Sequence, residues 1–249
     1  MGDDHGTMTY EPLNTLKSVA DDVWIVDGPV IRFGMPWPKI PFPTRMTIIR
    51  IGKSDLFVHS PTRLTEDIKT EIGKLGQPRW LIAPNRIHYW WTPVWKAAFP
   101  EAEVYLAPRV KEQAGDRIDF PYSDLDRERG YPWDAQIATL PVTGNYMTEV
   151  AFLHRPSRTL LVADLIENFE PDKIPFWMRW LVWFGGCLDP NGGTPRDMRL
   201  TFAKQKSRFR TAVETMIAWN PERIILAHGR WYDKDSAREL RRAFRWVLN

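Results

Sequence analysis

Three short apolar runs in this chain each lead directly into side chains that can bind a metal ion. Runs of four or five residues rich in Ile, Leu and Val indicate buried β-strands. Functional sites in sheet proteins gather on the loops just beyond strand ends, so two imidazoles and a carboxylate placed there could converge on one cation. The runs and the residues that follow them are 80–83 before Asn85 and His88, 159–163 before Asp164, and 223–227 before His228.

Length and charge narrow the class of protein. The chain has 249 residues, which is enough for one large domain with a substantial core. Its 34 basic and 31 acidic residues give a net charge of +3, too small to indicate a nucleic-acid-binding protein. We therefore expect no nucleic acid among its partners.

The cysteine content and the N-terminal residues indicate a compartment. Cys187 is the single cysteine and cannot form an intramolecular disulfide, which fits a reducing environment. Residues 1–6 are polar and acidic, unlike a signal or transit peptide. The expected location is the cytoplasm, and residues 1–19 are expected to form a flexible N-terminal segment.

Tryptophan is frequent, with thirteen in the chain. Trp177, Trp180 and Trp183 lie in an apolar stretch over 174–184, inside a segment over 171–195 that we interpret as an insertion. A membrane-spanning helix needs about 20 apolar residues, so this stretch is too short to cross a bilayer. Three alternatives remain open: a buried helix that completes the core, an apolar lid over a pocket, or a surface for peripheral membrane contact or a homo-oligomer.

The spacing of apolar residues predicts alternating strands and helices in two halves. The first half has strands over 23–26, 46–51, 56–59, 80–83 and 103–106, and helices over 64–75 and 93–98. The second half has strands over 136–141, 149–154, 159–163 and 223–227, and helices over 195–219 and 234–247. This pattern indicates an α/β protein whose helices cover sheet faces, in a single domain over 20–249.

Several motifs resemble the metallo-β-lactamase superfamily. FPEAEVY at 99–105 matches the strand that follows the superfamily's His-x-His-x-Asp-His motif, and it aligns His88 with the last position of that motif. Asp164 and His228 match the bridging aspartate and the final histidine. The resemblance implies a four-layer αββα metallo-β-lactamase-like sandwich. Four shorter motifs resemble one uncharacterised branch of that superfamily, which is known as a domain of unknown function. They are RMT at 45–47, HSP at 59–61, NRIH at 85–88 and SRTL at 157–160.

The resemblance also implies a degenerate metal site. The three histidines that hold the superfamily's first metal correspond here to Ala83, Asn85 and Asn145. Alanine cannot ligate and asparagine is a weak neutral ligand, so the first site is not expected to bind metal. The second site loses an aspartate to Ile87 but keeps His88, Asp164 and His228. We expect at most one divalent ion, Zn, Fe or Mn, which could lower the pKa of a water molecule toward neutrality.

Each retained residue also has a metal-free interpretation. Asp164 could cap a loop by accepting backbone N–H groups, and His228 could bond to it as a buried pair. His59 is either a packed core histidine or a residue that orients a ligand. Glu149 is either a carboxylate near the cavity or a solvated strand residue, and His154 is expected to be exposed.

The sequence leaves two functions open. The first is a metal-dependent hydrolase of an ester, amide or lactone, with Asp164 and His228 as catalytic residues and a small molecule as substrate. β-Lactamase activity is not expected, because the principal zinc ligands are missing. The second is a non-catalytic, metal-free scaffold that binds an apolar ligand, a protein partner or a membrane surface through its tryptophans.

Overall fold

Two β-sheets form the centre of the molecule. The structure is a computed structural model that describes residues 8–33 and 39–249. Its strands are β1 Lys17–Ala20, β2 Val23–Phe33, β3 Ile40–Ile51, β4 Asp55–His59, β5 Gln77–Ala83, β6 Glu103–Leu106, β7 Ser123–Asp124, β8 Ile137–Thr143, β9 Thr148–His154, β10 Thr159–Val162 and β11 Arg223–Leu226. The first sheet has the order β1-β2-β3-β4-β5-β6-β7, and the second has the order β11-β10-β9-β8.

Helices cover the outer faces of the two sheets. They are α1 Glu66–Leu75, α2 Thr92–Ala98, α3 Val110–Ala114, α4 Phe176–Gly185, α5 Arg196–Phe202, α6 Lys206–Ala218, α7 Ser236–Ala243 and α8 Arg245–Leu248. Helices α1 and α2 pack on β5, while α6 packs on β8 and contacts α7 and α8. The layers are therefore helix, sheet, sheet and helix, and the predicted αββα sandwich is confirmed.

Strand β10 shows why the interior divides into two apolar cores. Leu161 joins a cluster that also contains Phe57 of β4 and Phe152 of β9, between the two sheets. Its neighbours Leu160 and Val162 join a second cluster with residues of α6, α7 and α8. Successive side chains of a strand point to opposite faces, so a strand covered on both faces is apolar throughout. This explains the continuous apolar run that the sequence shows before Asp164.

Parallel strand pairs bring the predicted site residues to one edge. Strands β10 and β11 are parallel, with Val162 opposite Leu226, so residues two positions further on in each strand come side by side. Strands β4 and β5 are also parallel, with His59 opposite Ile82. In each pair the carboxyl ends point the same way, so the loops after β4 and β5 lie together, as do those after β10 and β11. The 3.3 Å contact between His88 Nε2 and Asp164 Oδ1 shows that the two groups of loops meet.

Two predicted helices are interrupted. The helix expected over 195–219 is divided into α5 and α6 by a 3₁₀ turn, Ala203–Gln205. There the Thr201 carbonyl accepts a hydrogen bond from the Asn145 N–H at 2.8 Å. In an unbroken α-helix the same carbonyl would accept the N–H of residue 205. The helix expected over 234–247 is likewise divided at Phe244, between α7 and α8.

The N-terminal segment contributes to the fold. Strand β1 pairs with β2, and Met8 is buried in a small cluster with Phe169, Ile174 and Met178. The flexible segment predicted over 1–19 therefore includes packed residues, while its residues 1–7 lie outside the described part of the chain. Apolar contacts made by Met8 with residues far along the chain could not be read from local sequence.

Within residues 8–33 and 39–249, no helix has the length and apolar character needed to cross a membrane. Helix α4, which carries the three clustered tryptophans, has 10 residues.

Candidate functional site

The three retained residues meet at the edge of the sandwich. Their nearest ligand atoms all lie within 4.8 Å of one another. Asp164 Oδ1 lies 3.3 Å from His88 Nε2 and 3.1 Å from His228 Nε2. Among the residues that the structure describes, these three form the group of His, Cys, Asp or Glu side chains that lie close enough together to hold one metal ion. We call it the histidine–aspartate cluster.

His228 is oriented by the first sheet although it follows a strand of the second. Its Nδ1 lies 2.6 Å from the Pro43 carbonyl of β3, so Nδ1 carries a hydrogen and donates it. The turn after it requires glycine, because Gly229 has φ +84° and a Cβ there would lie 2.1 Å from the Asn168 carbonyl oxygen. The imidazole therefore presents Nε2 toward Asp164.

A buried ion pair anchors the same turn. Arg45 and Asp27 form an ion pair with both side chains buried, at 2.7 Å. Arg45 Nη1 also donates to the carbonyl oxygens of Leu226 and Gly229, at 2.7 and 2.8 Å. These bonds hold the backbone on either side of His228, so they fix the position of that imidazole from the first sheet.

His88 is positioned by a turn that Asn85 closes. The Asn85 side-chain oxygen accepts the backbone N–H groups of Ile87 and His88, at 2.9 and 3.0 Å. Asparagine commonly forms such turns just past a strand. Ser60, which follows β4, places its hydroxyl 2.7 Å from His88 Nδ1. The imidazole is therefore held at Nδ1 and presents Nε2 to Asp164, as His228 does.

Asp164 lies in a polar network that includes Glu149. The Asn85 amide nitrogen donates to Asp164 Oδ2 at 2.7 Å and to Glu149 Oε2 at 3.0 Å. Glu149 also accepts the backbone N–H groups of Ala163, Asp164 and Leu165, at 2.8, 2.7 and 3.2 Å. Glu149 is fully buried, so the solvated interpretation is wrong and the carboxylate borders the cluster. Its role as a cap for the end of β10 explains why a glutamate occurs within an apolar strand.

The protonation chemistry of the cluster calls for a positive charge beside Asp164. Burial alone would raise the pKa of Asp164, but its electrostatic interactions and hydrogen bonds with His88 and His228 outweigh burial and hold the pKa well below its usual range. In a neutral His228 ring with Nδ1 protonated, Nε2 and Asp164 Oδ1 would face each other with lone pairs across 3.1 Å. Such an arrangement is repulsive unless a proton or a metal cation lies between the two atoms. The donor set, two imidazole nitrogens and a carboxylate oxygen, fits a divalent cation.

Two further carboxyl groups have raised pKa values. Burial, followed by the charge of Asp164, raises the pKa of Glu149 to about 7. Burial raises the pKa of Glu167 to about 8, with Asp164 adding to the rise and His228 opposing it. Glu167 is not among the residues predicted from the sequence. A usable signal was its place among apolar residues three positions after Asp164.

An apolar cavity of about 590 Å³ opens over the histidine–aspartate cluster. Its polar wall contains Ser60, His88, Asp164, His228 and Glu167, together with Thr44, Cys187 and Asp197. The lining that the structure describes contains no lysine or arginine. Most of the remaining wall is aliphatic or aromatic: Ile31, Ile40, Phe42, Pro61, Ile87, Trp90, Trp91, Phe169, Met178, Leu181, Val182, Phe184, Pro195 and Met198.

Helix α4 forms one wall of this cavity, but its tryptophans do not. Met178 and Val182 face the cavity on the inner side of the helix. Trp177, Trp180 and Trp183 are 52%, 61% and 55% exposed, so the buried-helix interpretation is wrong for them. The lid interpretation of these three tryptophans stays a prediction. The surface interpretation of its outer face stays a prediction.

The remaining predicted residues are placed away from the cluster or beside it. His59 is buried against Phe152, with ring centroids 5.6 Å apart, and it is Ser60 that bonds to His88. His154 is 1% exposed and bonds to Ser157 through Nδ1, so its predicted exposure is wrong. It is the last residue of β9, as the predicted strand over 149–154 has it. Asn145 is exposed, and its side chain contacts Gln205 at 3.4 Å.

Comparison with known proteins identifies the fold. A family model described as Domain of unknown function (DUF4336) matches residues 21–178, which include His88 and Asp164. No curated protein matches the chain. The metallo-β-lactamase from Hirschia baltica is 13% identical, with a TM-score of 0.57, covering 91% of this chain and 95% of that one.

Two further solved structures are similar over most of this chain. FIM-1 from Pseudomonas aeruginosa, solved in its mono-zinc form, is 12% identical with a TM-score of 0.57, covering 94% of this chain and 96% of that one. The metal-soaked Flv1 flavodiiron core from Synechocystis sp. PCC6803 is 10% identical with a TM-score of 0.62. That match covers 94% of this chain and 60% of the other. At these identities the likeness shows the fold, which is the metallo-β-lactamase fold.

Proposed function

Since this chain belongs to the Domain of unknown function (DUF4336) family and has the metallo-β-lactamase fold, we propose that it is a metal-dependent hydrolase with a single cation site. The site consists of His88, Asp164 and His228. The observation that carries the proposal is their geometry, because two imidazoles are held at Nδ1 and both direct Nε2 to one carboxylate oxygen.

The residues around the site orient its three ligands. Pro43 and Ser60 orient the two imidazoles, and Asn85 holds Asp164 by its other oxygen, Oδ2. A divalent cation bound there would supply Lewis-acid chemistry. It would polarise a carbonyl group and lower the pKa of water, so that hydroxide would be available for attack near neutral pH. The loss of ligands at Ala83 and Ile87 supports one cation rather than two.

The cavity supports a substrate class. Its apolar wall would hold an aliphatic or aromatic group and exclude water from the reacting bond. Its described lining has carboxyl groups and no lysine or arginine, which disfavours a substrate with its own negative charge. An uncharged ester, amide or lactone with an apolar substituent fits these walls.

Glu167 is the candidate proton donor. It lines the cavity and is buried, and burial raises the pKa of its carboxyl group to about 8, a direction that favours the protonated form. A protonated carboxyl group beside the reacting bond would donate that proton to the departing oxygen or nitrogen. Isosteric Glu167→Gln keeps the shape and removes the acid.

Metal content tests the proposal directly. We expect near one equivalent of Zn, Fe or Mn by inductively coupled plasma mass spectrometry, lost in His228→Ala together with hydrolysis of an apolar ester. His154→Ala is the matched control, because His154 is equally buried but bonds to Ser157 away from the cluster. The proposal would be contradicted if the unaltered protein held no metal after loading, or if His228→Ala held as much metal as the unaltered protein.

The second candidate function is a metal-free scaffold that binds an apolar ligand. The apolar residues at positions 83 and 87, where the resemblance places ligands, favour it, and Ile87 lines the cavity. In this case a proton shared between Asp164 and the histidines would supply the positive charge. The same measurement separates the two functions, since the scaffold binds an apolar probe without stoichiometric metal.

A further inference from the structure

The outer face of α4 exposes a large apolar surface. Six of its 10 residues are large, apolar and more than half exposed. Helices of soluble monomers turn such residues toward the core, and extended exposed patches mark contact surfaces. We call these residues the aromatic face: Phe176 73%, Trp177 52%, Trp180 61%, Leu181 51%, Trp183 55% and Phe184 57% exposed. We propose that the aromatic face seats this protein on an anionic lipid surface.

The composition of the aromatic face suits the boundary between lipid headgroups and acyl chains. Tryptophan combines a large apolar ring with a polar N–H group, and it is enriched at that boundary in membrane proteins. An amphipathic helix can lie in the plane of the interface without crossing it. Helix α4 differs from such a helix in being apolar on both faces: Met178 and Val182 are turned to the cavity, and the tryptophans are turned outward, where they could enter the interface.

The charges beside the aromatic face complement anionic headgroups. Helix α4 contains Arg179 and no acidic residue. Arg196 and Arg199 approach the end of the helix, with side-chain atoms 3.9 and 3.2 Å from where a Cβ on Gly186 would lie. Asp197 is the acidic residue between them and lines the cavity. Basic side chains beside an apolar contact surface are attracted to the negative surface potential of a membrane.

A second copy of the chain fits the aromatic face less well. In a two-fold dimer the same patch meets itself, so Arg179 would approach its own counterpart without an acidic partner on α4. Like charges brought together in an apolar interface are unfavourable. A lipid surface supplies both the apolar layer and the opposite charge.

The cavity opens at this same face. Leu181 and Phe184 belong to the aromatic face and also line the cavity, so they form its rim. A lipid surface in contact with the aromatic face would therefore lie next to the mouth. The inference goes beyond the proposed hydrolase and does not depend on it, because docking requires neither metal nor catalysis.

Vesicle co-sedimentation tests the docking. The probes are vesicles of phosphatidylglycerol and phosphatidylcholine in equal parts, and vesicles of phosphatidylcholine alone. We expect binding to the anionic vesicles that weakens by about tenfold or more in the double variant Trp180→Ser/Trp183→Ser. Arg179→Gln/Arg196→Gln should weaken binding to the anionic vesicles by a similar factor. Val94→Ser is the control, because Val94 is 51% exposed on α2, outside the aromatic face.

Each outcome is decisive once circular dichroism shows that the variants are folded. Absence of binding to anionic vesicles would overturn the proposal, as would equal binding by the tryptophan double variant. Sedimentation velocity of the same samples is the second readout. A dimer that the double variant abolishes, without vesicle binding, would assign the face to a second copy instead.

Discussion

Asn85 Nδ2 donates to Asp164 Oδ2 at 2.7 Å, which leaves Oδ1 of that carboxylate free to face both histidines. The same amide donates to Glu149 at 3.0 Å, so one neutral side chain bonds to two buried carboxyl groups. The resemblance to the metallo-β-lactamase superfamily places a histidine ligand of the first metal at the position of Asn85. We infer that hydrogen-bond donors here do part of what a cation does in two-metal relatives: they lower the electrostatic cost of adjacent carboxylates.

Replacing Asn85 tests this relationship. Asn85→Leu removes the donor to Asp164 and Glu149 and leaves both carboxyl groups without that partner, so we expect a loss of about 2–4 kcal/mol in the free energy of unfolding. The measurement is urea denaturation followed by circular dichroism. Asn145→Leu is the matched control, because Asn145 occupies another lost ligand position but is exposed, and it should change stability by less than about 0.5 kcal/mol. Equal effects of the two substitutions would contradict this view.

His59 should make stability depend on pH. Burial, and after it the charge of His88, lowers the pKa of His59 from 6.5 to about 3. Between these values the unfolded chain binds a proton that the folded protein does not, so this contribution to stability is complete above 6.5 and is lost as the pH falls. The loss amounts to about 2–3 kcal/mol at about pH 4.5.

The variant His59→Phe isolates this contribution. It removes the titrating group while keeping an aromatic ring against Phe152. Unfolding free energies measured by urea denaturation from neutral to acid pH should fall less steeply for the variant than for the unaltered protein. The comparison cancels the other buried groups, including Glu149 and Glu167, whose raised pKa values act in the opposite direction. Identical slopes would show that His59 is protonated in the folded protein.

Filling the cavity should change which substrates are accepted. Val182 lies in the cavity wall on α4, so Val182→Trp reduces the space beside the cluster. For a hydrolase we expect kcat/KM for an octanoate ester to fall by about tenfold or more, while an acetate ester is affected less. Metal content should not change. Trp180→Ala, on the outer face, is the control, and a similar loss for both esters would argue that Val182→Trp disturbs the cluster itself.

The predictable part of the site is the part encoded by short segments. Asp164 and His228 each follow an apolar strand at the same spacing, and parallel pairing of β10 with β11 brings them together. His88 was aligned by its motif and by the strand after it. Strand ends and local motifs are properties of neighbouring residues, so one sequence is sufficient to predict them.

The parts that the sequence did not predict depend on distant contacts. The Pro43 carbonyl reaches His228 across 185 positions, and Arg45 reaches Leu226 across 181. No local pattern encodes such pairs. The orientation of α4 is of the same kind, because aromatic content alone does not say which face of a helix meets the cavity. The end of the strand that carries His154 was predicted correctly, but His154 is buried because its strand pairs on both sides, with Thr159 and Ile137 opposite His154.

The histidine–aspartate cluster draws its three members from both sheets. His88 follows a strand of the first sheet, whereas Asp164 and His228 follow strands of the second. A cation held by all three would cross-link the two sheets, because separating the sheets would break its coordination. Thermodynamic linkage would then make the association of the two sheets tighter in proportion to the logarithm of the metal concentration relative to its dissociation constant.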